Sequence, residues 1–163
     1  MKTSKISKLM ELPLPSLAEQ RKKSYRPSLR KIKAMYRLIN EEVFKNKLSM
    51  PEIQLVKRSK YWGLCMGKGR WGSPYPTGSH CIIKITNKFY SQQWMIATLA
   101  HEMVHQYQWD IYSGKRKKQG KLPIMSHGPS FYAWRNKLSK FGITLKTTFS
   151  KKKWFTYQKL DKC

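Results

Sequence analysis

The sequence predicts an α+β fold. Three observations carry the prediction. Leu29, Ile32, Tyr36, Ile39, Val43 and Phe44 recur at three- and four-residue steps, the period of one helix face. Residues 80–86, HCIIKIT, form a short β-branched run bounded by turn residues, as a buried strand does. Residues 94–100, WMIATLA, open an apolar stretch that continues through HEMVHQY and reads as a core helix.

Taken in order, residues 1–27 are a basic, proline-punctuated lead, expected to be loosely ordered at its start. Ser28 follows Pro27 and is placed to cap the first long helix, which KNKLSMP at 45–51 ends. EIQLVKR at 52–58 alternates like a strand, and YWGLCMG at 61–67 reads as a second, followed by turn material at Gly67–Gly69. RWGSPYPTGS at 70–79 is a loop by its Gly, Pro and Ser content. After the strand at 80–86, Ser91 caps a helix expected to run to about Tyr112. SGKRKKQGKLP at 113–123 reads as a basic loop. His127-Gly128-Pro129 leads into a last helix, Ser130 to about Lys140, and residues 141–160 are expected to hold one or two short strands.

The 163 residues suffice for one domain with a real core. With 40% hydrophobic residues, six Trp, nine Tyr and six Phe, the chain is too apolar for disorder. It carries 34 Lys+Arg against 8 Asp+Glu, a net charge of +26, so a polyanion is the expected partner, nucleic acid before an anionic membrane surface. No run has signal-peptide or membrane-spanning length. Cys65, Cys81 and Cys163 form no Cys-x-x-Cys pair, which argues against a disulfide framework and a zinc ribbon and for a soluble protein of a reducing compartment.

The chemistry sits in TLAHEMVHQYQW at 98–109. His101 and His105 are one helical turn apart on one face, a spacing that lets two imidazoles hold one Zn²⁺. Glu102 is the adjacent residue, from which a carboxylate can take a proton from a water that the metal activates. Two of only four histidines flank a glutamate in this pattern, which favours a metal site over an ordinary buried helix. A catalytic zinc needs a third protein ligand. No Glu follows Glu102, Gln108 and Ile111 break the His-x-x-Gly-x-x-His continuation, and Asp110 is out of phase with His101. That leaves His80 and His127. His127 is favoured, because Gly128 and Pro129 turn the chain tightly into a helix whose Phe131, Trp134 and Leu138 pack on the core.

With those residues, the chain resembles the SprT-like zinc metallopeptidases, the group that includes the Spartan DNA–protein crosslink proteases. The matching features run from about Leu29 to Phe141: NEEVFKNKLSMPEIQLV, YWGLCMG, CIIKIT, LAHEMVHQYQ and HGPSFYAW. The resemblance implies zinc held by His101, His105 and His127, Glu102 as general base, and a zincin-like core of the gluzincin kind. It implies an arm at 1–27, a metalloprotease domain at 28–145 and a basic aromatic tail at 146–163. It also implies a strand beside the cleft that holds an extended substrate, with HCIIKIT and YWGLCMG as candidates. Activity in the Spartan branch depends on DNA and is directed at proteins attached to it. Many members carry a C-terminal four-cysteine zinc-binding part that this sequence does not supply, so DNA binding here falls to its own basic segments.

Three such segments stand out: Arg21–Lys23; Lys115, Arg116, Lys117 and Lys118 with Lys121; and Lys151, Lys152 and Lys153. Each lies near an aromatic residue, namely Tyr25, Tyr112, and Trp154 with Phe155, so lysines on phosphates and rings on unpaired bases are the expected contacts. No base-reading motif is present, so binding should be sequence-tolerant. The leading expectation is a zinc metalloprotease acting on proteins on or near DNA, cytoplasmic or nucleoid-associated, or nuclear in a eukaryote. Its rival is a basic nucleic-acid-binding or virion or nucleoid structural protein with an idle zinc site.

Overall fold

In the computed structural model, residues 3–14, 16, 22–57, 60–72 and 78–147 are described. Ser28 caps helix α2 (Leu29–Glu42) by accepting from the Lys31 N–H, and Ile32, Tyr36 and Ile39 of the face found by spacing are buried, together with Met35. Strands β1 (Glu52–Val56), β2 (Gly63–Gly67) and β3 (Cys81–Thr86) make one sheet in the order β1-β3-β2. β1 runs parallel to β3 and β2 antiparallel to it, with Cys65 opposite Ile83.

Helix α3 (Gln92–Tyr107) starts at the Ser91 cap and is buried from Gln93 to Gln106. A helix buried all round must lie through the core. It packs against β2 and β3 on one side and against α2 on the other, while α2 also lies against β1. Cys81, Ile83 and Ile85 of β3 turn inward to meet these helices, so a sheet layer and a helix layer share one core.

Four segments differ from the sequence expectations. The lead contains helix α1 (Lys5–Glu11), whose Ile6 is fully buried. Glu42 of α2 accepts hydrogen bonds from Ser4 Oγ and from the Lys5 and Ile6 N–H groups, capping α1 across the chain. The helix expected to stop near Tyr112 passes through a π-helical turn (Gln108–Tyr112) into α4 (Ser113–Lys118). Residues expected to form a loop are therefore helical as far as Lys118. Lys and Arg are good helix formers, they suit a helix C-terminus, and the breaker is Gly120, at φ +69°.

The last helix is two short ones, α5 (Pro129–Tyr132) and α6 (Arg135–Ser139). The break lets Trp134 stack within 4.5 Å of Phe44 and 4.8 Å of Tyr107, which anchors α6 to α2 and α3. Residues 141–147 form no strand but run as a strap whose Ile143 and Leu145 are buried. The rest of the strand expectation, at 148–160, lies outside the described residues. HCIIKIT is the central strand, so it offers no free edge; of the two strands expected to hold substrate, β2 is at the sheet margin.

Replacing Ile6 with Ala should destabilise the protein by about 2–5 kcal/mol, the cost of emptying a buried branched side chain. The check is the urea midpoint. An unchanged midpoint would show that α1 is not docked.

Candidate metal centre

Helix α3 and the turn leading into α5 converge on one point. His101 and His105 project from α3, and His127 enters from the turn before α5. Pro129 occupies the first helical position and Gly128 the N-cap of α5, which turns the chain sharply after the histidine. The ring of Phe131 is the floor. Its centroid lies 4.8 Å from each of the three imidazoles, so one buried aromatic positions all three.

The hydrogen bonds behind the rings decide which nitrogens face inward. His101 Nδ1 is 2.8 Å from the carbonyl oxygen of Lys146. A carbonyl only accepts, so Nδ1 carries the proton and Nε2 the lone pair. His105 Nδ1 is 2.8 Å from Gln108 Oε1, with the same consequence. The three Nε2 atoms then stand in a near-equilateral triangle, with sides of 3.2, 3.1 and 3.2 Å. Lone pairs converging at that separation repel unless a cation lies between them. Three nitrogens about 2.05 Å from a common ion at tetrahedral angles would be about 3.3–3.4 Å apart. The triangle fits a metal ion, and this trio is the metal-capable cluster among the described residues.

Glu102 stands beside the triangle, its Oε1 4.0 Å from His101 Nε2. Its carboxylate accepts from the backbone N–H of Cys65, on the outward row of β2. Gly63 makes this approach feasible: a Cβ there would lie 3.0 Å from Glu102 Cγ and 2.9 Å from the Thr98 methyl. Burial pushes the Glu102 carboxyl up to about 8, against the opposing pull of the Cys65 N–H. Burial, with the neighbouring His105 and His127, holds His101 down at about 3. Burial holds His105 down at about 4 despite its bond to Gln108, and lowers His127 as well. The imidazoles are therefore neutral near pH 7, the form that binds metals. A cleft of about 500 Å³ opens over the group, lined in part by Gly63, Cys65, Thr98, Met125 and Thr147.

The other candidates separate cleanly. His80 precedes β3 and takes no part in the triangle. Asp110, set aside on phase, is buried and structural: it accepts from Ser79 Oγ at 2.6 Å, the His80 N–H at 3.0 Å and Gln106 Nε2 at 3.2 Å. Lys115, Arg116, Lys117 and Lys118 lie on α4 and Lys121 just beyond it. At 1.5 Å per residue the α4 cations lie roughly 15–20 Å along the helix from His105. Lys117 Nζ sits 5.0 Å from the Trp71 ring centroid, a partner that the sequence did not suggest. Lys151, Lys152 and Lys153 lie outside the described residues.

A model of the SprT-like family matches residues 32–151, a span that holds the three histidines, Glu102 and the β-sheet. The chain belongs to the SprT-like family. No curated protein matches it. SprT-like proteins are of metallopeptidase type, and the histidine cluster of this SprT-like chain could hold the metal that such activity requires. No helix among its described residues is long and apolar enough to cross a membrane. Sequence reasoning missed Gln108, the Lys146 carbonyl and the Cys65 N–H. Only Gln108 left a signal, at i+3 from His105 and i+7 from His101 on the same helix face.

In the metal-free protein, the Glu102 value of about 8 lies above its ordinary 4.5, so over that interval the folded state holds a proton that the unfolded chain has lost. Its contribution to stability should therefore decline as pH rises from 4.5 towards 8, and Glu102→Gln should flatten this slope. Urea midpoints measured across that range, with a chelator present, check it. Equal slopes in both proteins would contradict the assignment.

Proposed function

We propose that this SprT-like chain is a zinc-dependent metalloendopeptidase with a zincin-like core, hydrolysing peptide bonds of proteins on or near DNA. The observation that carries the reading is the convergence of three imidazole Nε2 atoms beside a buried carboxylate. His101, His105 and His127 would hold the zinc through Nε2. When bound, the ion supplies Lewis acidity to the substrate carbonyl and acidifies the attacking water.

Glu102 is the general base. It accepts the proton of the attacking water and delivers it to the leaving amine. The Cys65 N–H holds the carboxylate in place, and a cation bound beside it would favour the ionised form that accepts the proton. β2 is the surface for an extended substrate. Trp62 O pairs with Thr86 and Lys68 N with His80, so by alternation the backbone groups of Gly63 and Gly67 and the Cys65 carbonyl point outward, towards a peptide laid along the margin.

The charge of +26 supports nucleic acid as the recruiting partner. α4 carries Lys115, Arg116, Lys117 and Lys118, and Lys117 lies beside Trp71, a ring that can stack on an unpaired base. The reduced thiols of Cys65 and Cys81 suit a cytoplasmic or nucleoid-associated protein. The rival reading, a basic structural protein with an idle site, has no use for a carboxylate held beside the metal position by a dedicated backbone donor.

Two measurements test the reading. Glu102→Gln should retain the metal and lose roughly 10²–10⁴-fold in cleavage of a DNA-bound basic protein. If wild type and variant both bind DNA and neither cuts, the structural reading replaces this one. Binding to single-stranded DNA should weaken roughly 10-fold or more between about 50 and 200 mM salt, and changing Lys115, Lys117 and Lys118 to Glu should reduce that salt slope. Salt-independent binding would remove nucleic acid from the proposal.

A further inference from the structure

We infer that Gln108 is the positioning residue that preforms the metal site, by fixing the His105 tautomer and clamping both sides of His127 to α3. The inference rests on the metal-centre reading of the three histidines.

Gln108 is fully buried, and its amide makes four hydrogen bonds. Oε1 lies 2.8 Å from His105 Nδ1 and accepts from the Ser126 N–H at 3.3 Å. Nε2 donates to the Ser126 carbonyl at 2.9 Å and to Ser130 Oγ at 2.8 Å. The amide orientation follows from chemistry: the Ser126 carbonyl only accepts, so the group facing it is the NH₂, and the oxygen must face His105. His105 Nδ1 is then the donor, and its Nε2 lone pair points to the centre of the triangle.

Ser126 immediately precedes His127, and Ser130 follows it by three residues in the first turn of α5. One side chain therefore grips the third-ligand segment on both sides while holding the second ligand directly. His127 is the least buried of the three histidines, so this segment has the weakest packing to hold it in place. The partner of His101 is a backbone carbonyl that any residue at position 146 could supply. The partner of His105 depends on the identity of residue 108. The π-helical turn begins at Gln108, and the Ser113 hydroxyl bonds its carbonyl at 2.7 Å, so the backbone beneath the clamp is held too.

The experiment compares wild type with Gln108→Leu, Gln108→Glu and Ser130→Ala. Zn²⁺ affinity is read by competition with a chromophoric chelator, and ligand geometry by the visible absorption of the Co²⁺ form. Gln108→Leu should weaken Zn²⁺ binding by roughly 10–100-fold and lower the intense tetrahedral Co²⁺ bands. Gln108→Glu keeps an acceptor for His105 but loses the donor to the Ser126 carbonyl, so it should fall between Leu and wild type. Ser130→Ala removes one bond of the four and should have the smallest effect. A merely structural residue would lower the melting temperature and leave the Co²⁺ spectrum alone.

Zn²⁺ binding by Gln108→Leu as tight as wild type, with an unchanged Co²⁺ spectrum, overturns the inference. If Gln108→Leu fails to fold, wild-type affinity in both other variants overturns it equally. Wild-type protein that takes up neither ion, or binds as well after His105→Ala, overturns the metal reading itself. That failure is distinct from one confined to Gln108.

Discussion

Bringing three neutral imidazole nitrogens within 3.2 Å of one another is the constraint around which the rest of the chain is arranged. It demands that the rings be kept uncharged, His101 and His105 by burial, and turned with the correct nitrogen inward. Burial alone keeps a histidine uncharged but leaves its orientation open. Orientation of His101 and His105 comes from acceptors behind the rings: the Lys146 carbonyl, 45 residues away on the C-terminal strap, and the Gln108 amide on the adjoining π-helical turn. Phe131 beneath the rings excludes water and limits their tilt. Helix, strap, turn and α5 are thus tied to one another through the site.

The acidic residues follow the same economy. Of the eight Asp and Glu, Glu42 caps α1, Glu52 pairs with Lys68, Asp110 organises the entry to β3, and Glu102 belongs to the site. With 34 Lys and Arg against eight acids, the cations dominate the surface. This arrangement keeps opposite charges in contact where they position the backbone, and leaves a positive field outside. The Glu52–Lys68 pair is about half-exposed, so its value lies in orienting the ends of β1 and β2 more than in stability.

Two glycines in β2 control how near the sheet comes to the helix. Gly63 lets the strand approach Glu102, and Gly67 accepts the Trp109 indole, whose ring a Cβ there would overlap. A strand rich in larger residues would stand off from α3, and the Cys65 N–H would no longer reach the carboxylate. The glycines weaken β2 as a strand, but they are what places a sheet margin beside the metal position.

Local patterns in the sequence determined a good deal. The face of α2, the Ser28 and Ser91 caps, the three strands and the His101–Glu102–His105 face are all encoded by spacing within one element, where the helical or strand period acts directly. His127 was reached by elimination and by the local chemistry of Gly128 and Pro129. Tertiary structure decided whatever depended on contacts between elements. It docked α1 through Glu42, carried the helix beyond Tyr112, split the last helix so that Trp134 could meet Phe44, and put HCIIKIT at the centre of the sheet. It also chose the acceptor behind His101, because a hydrogen bond that spans 45 residues leaves no periodic trace in the sequence.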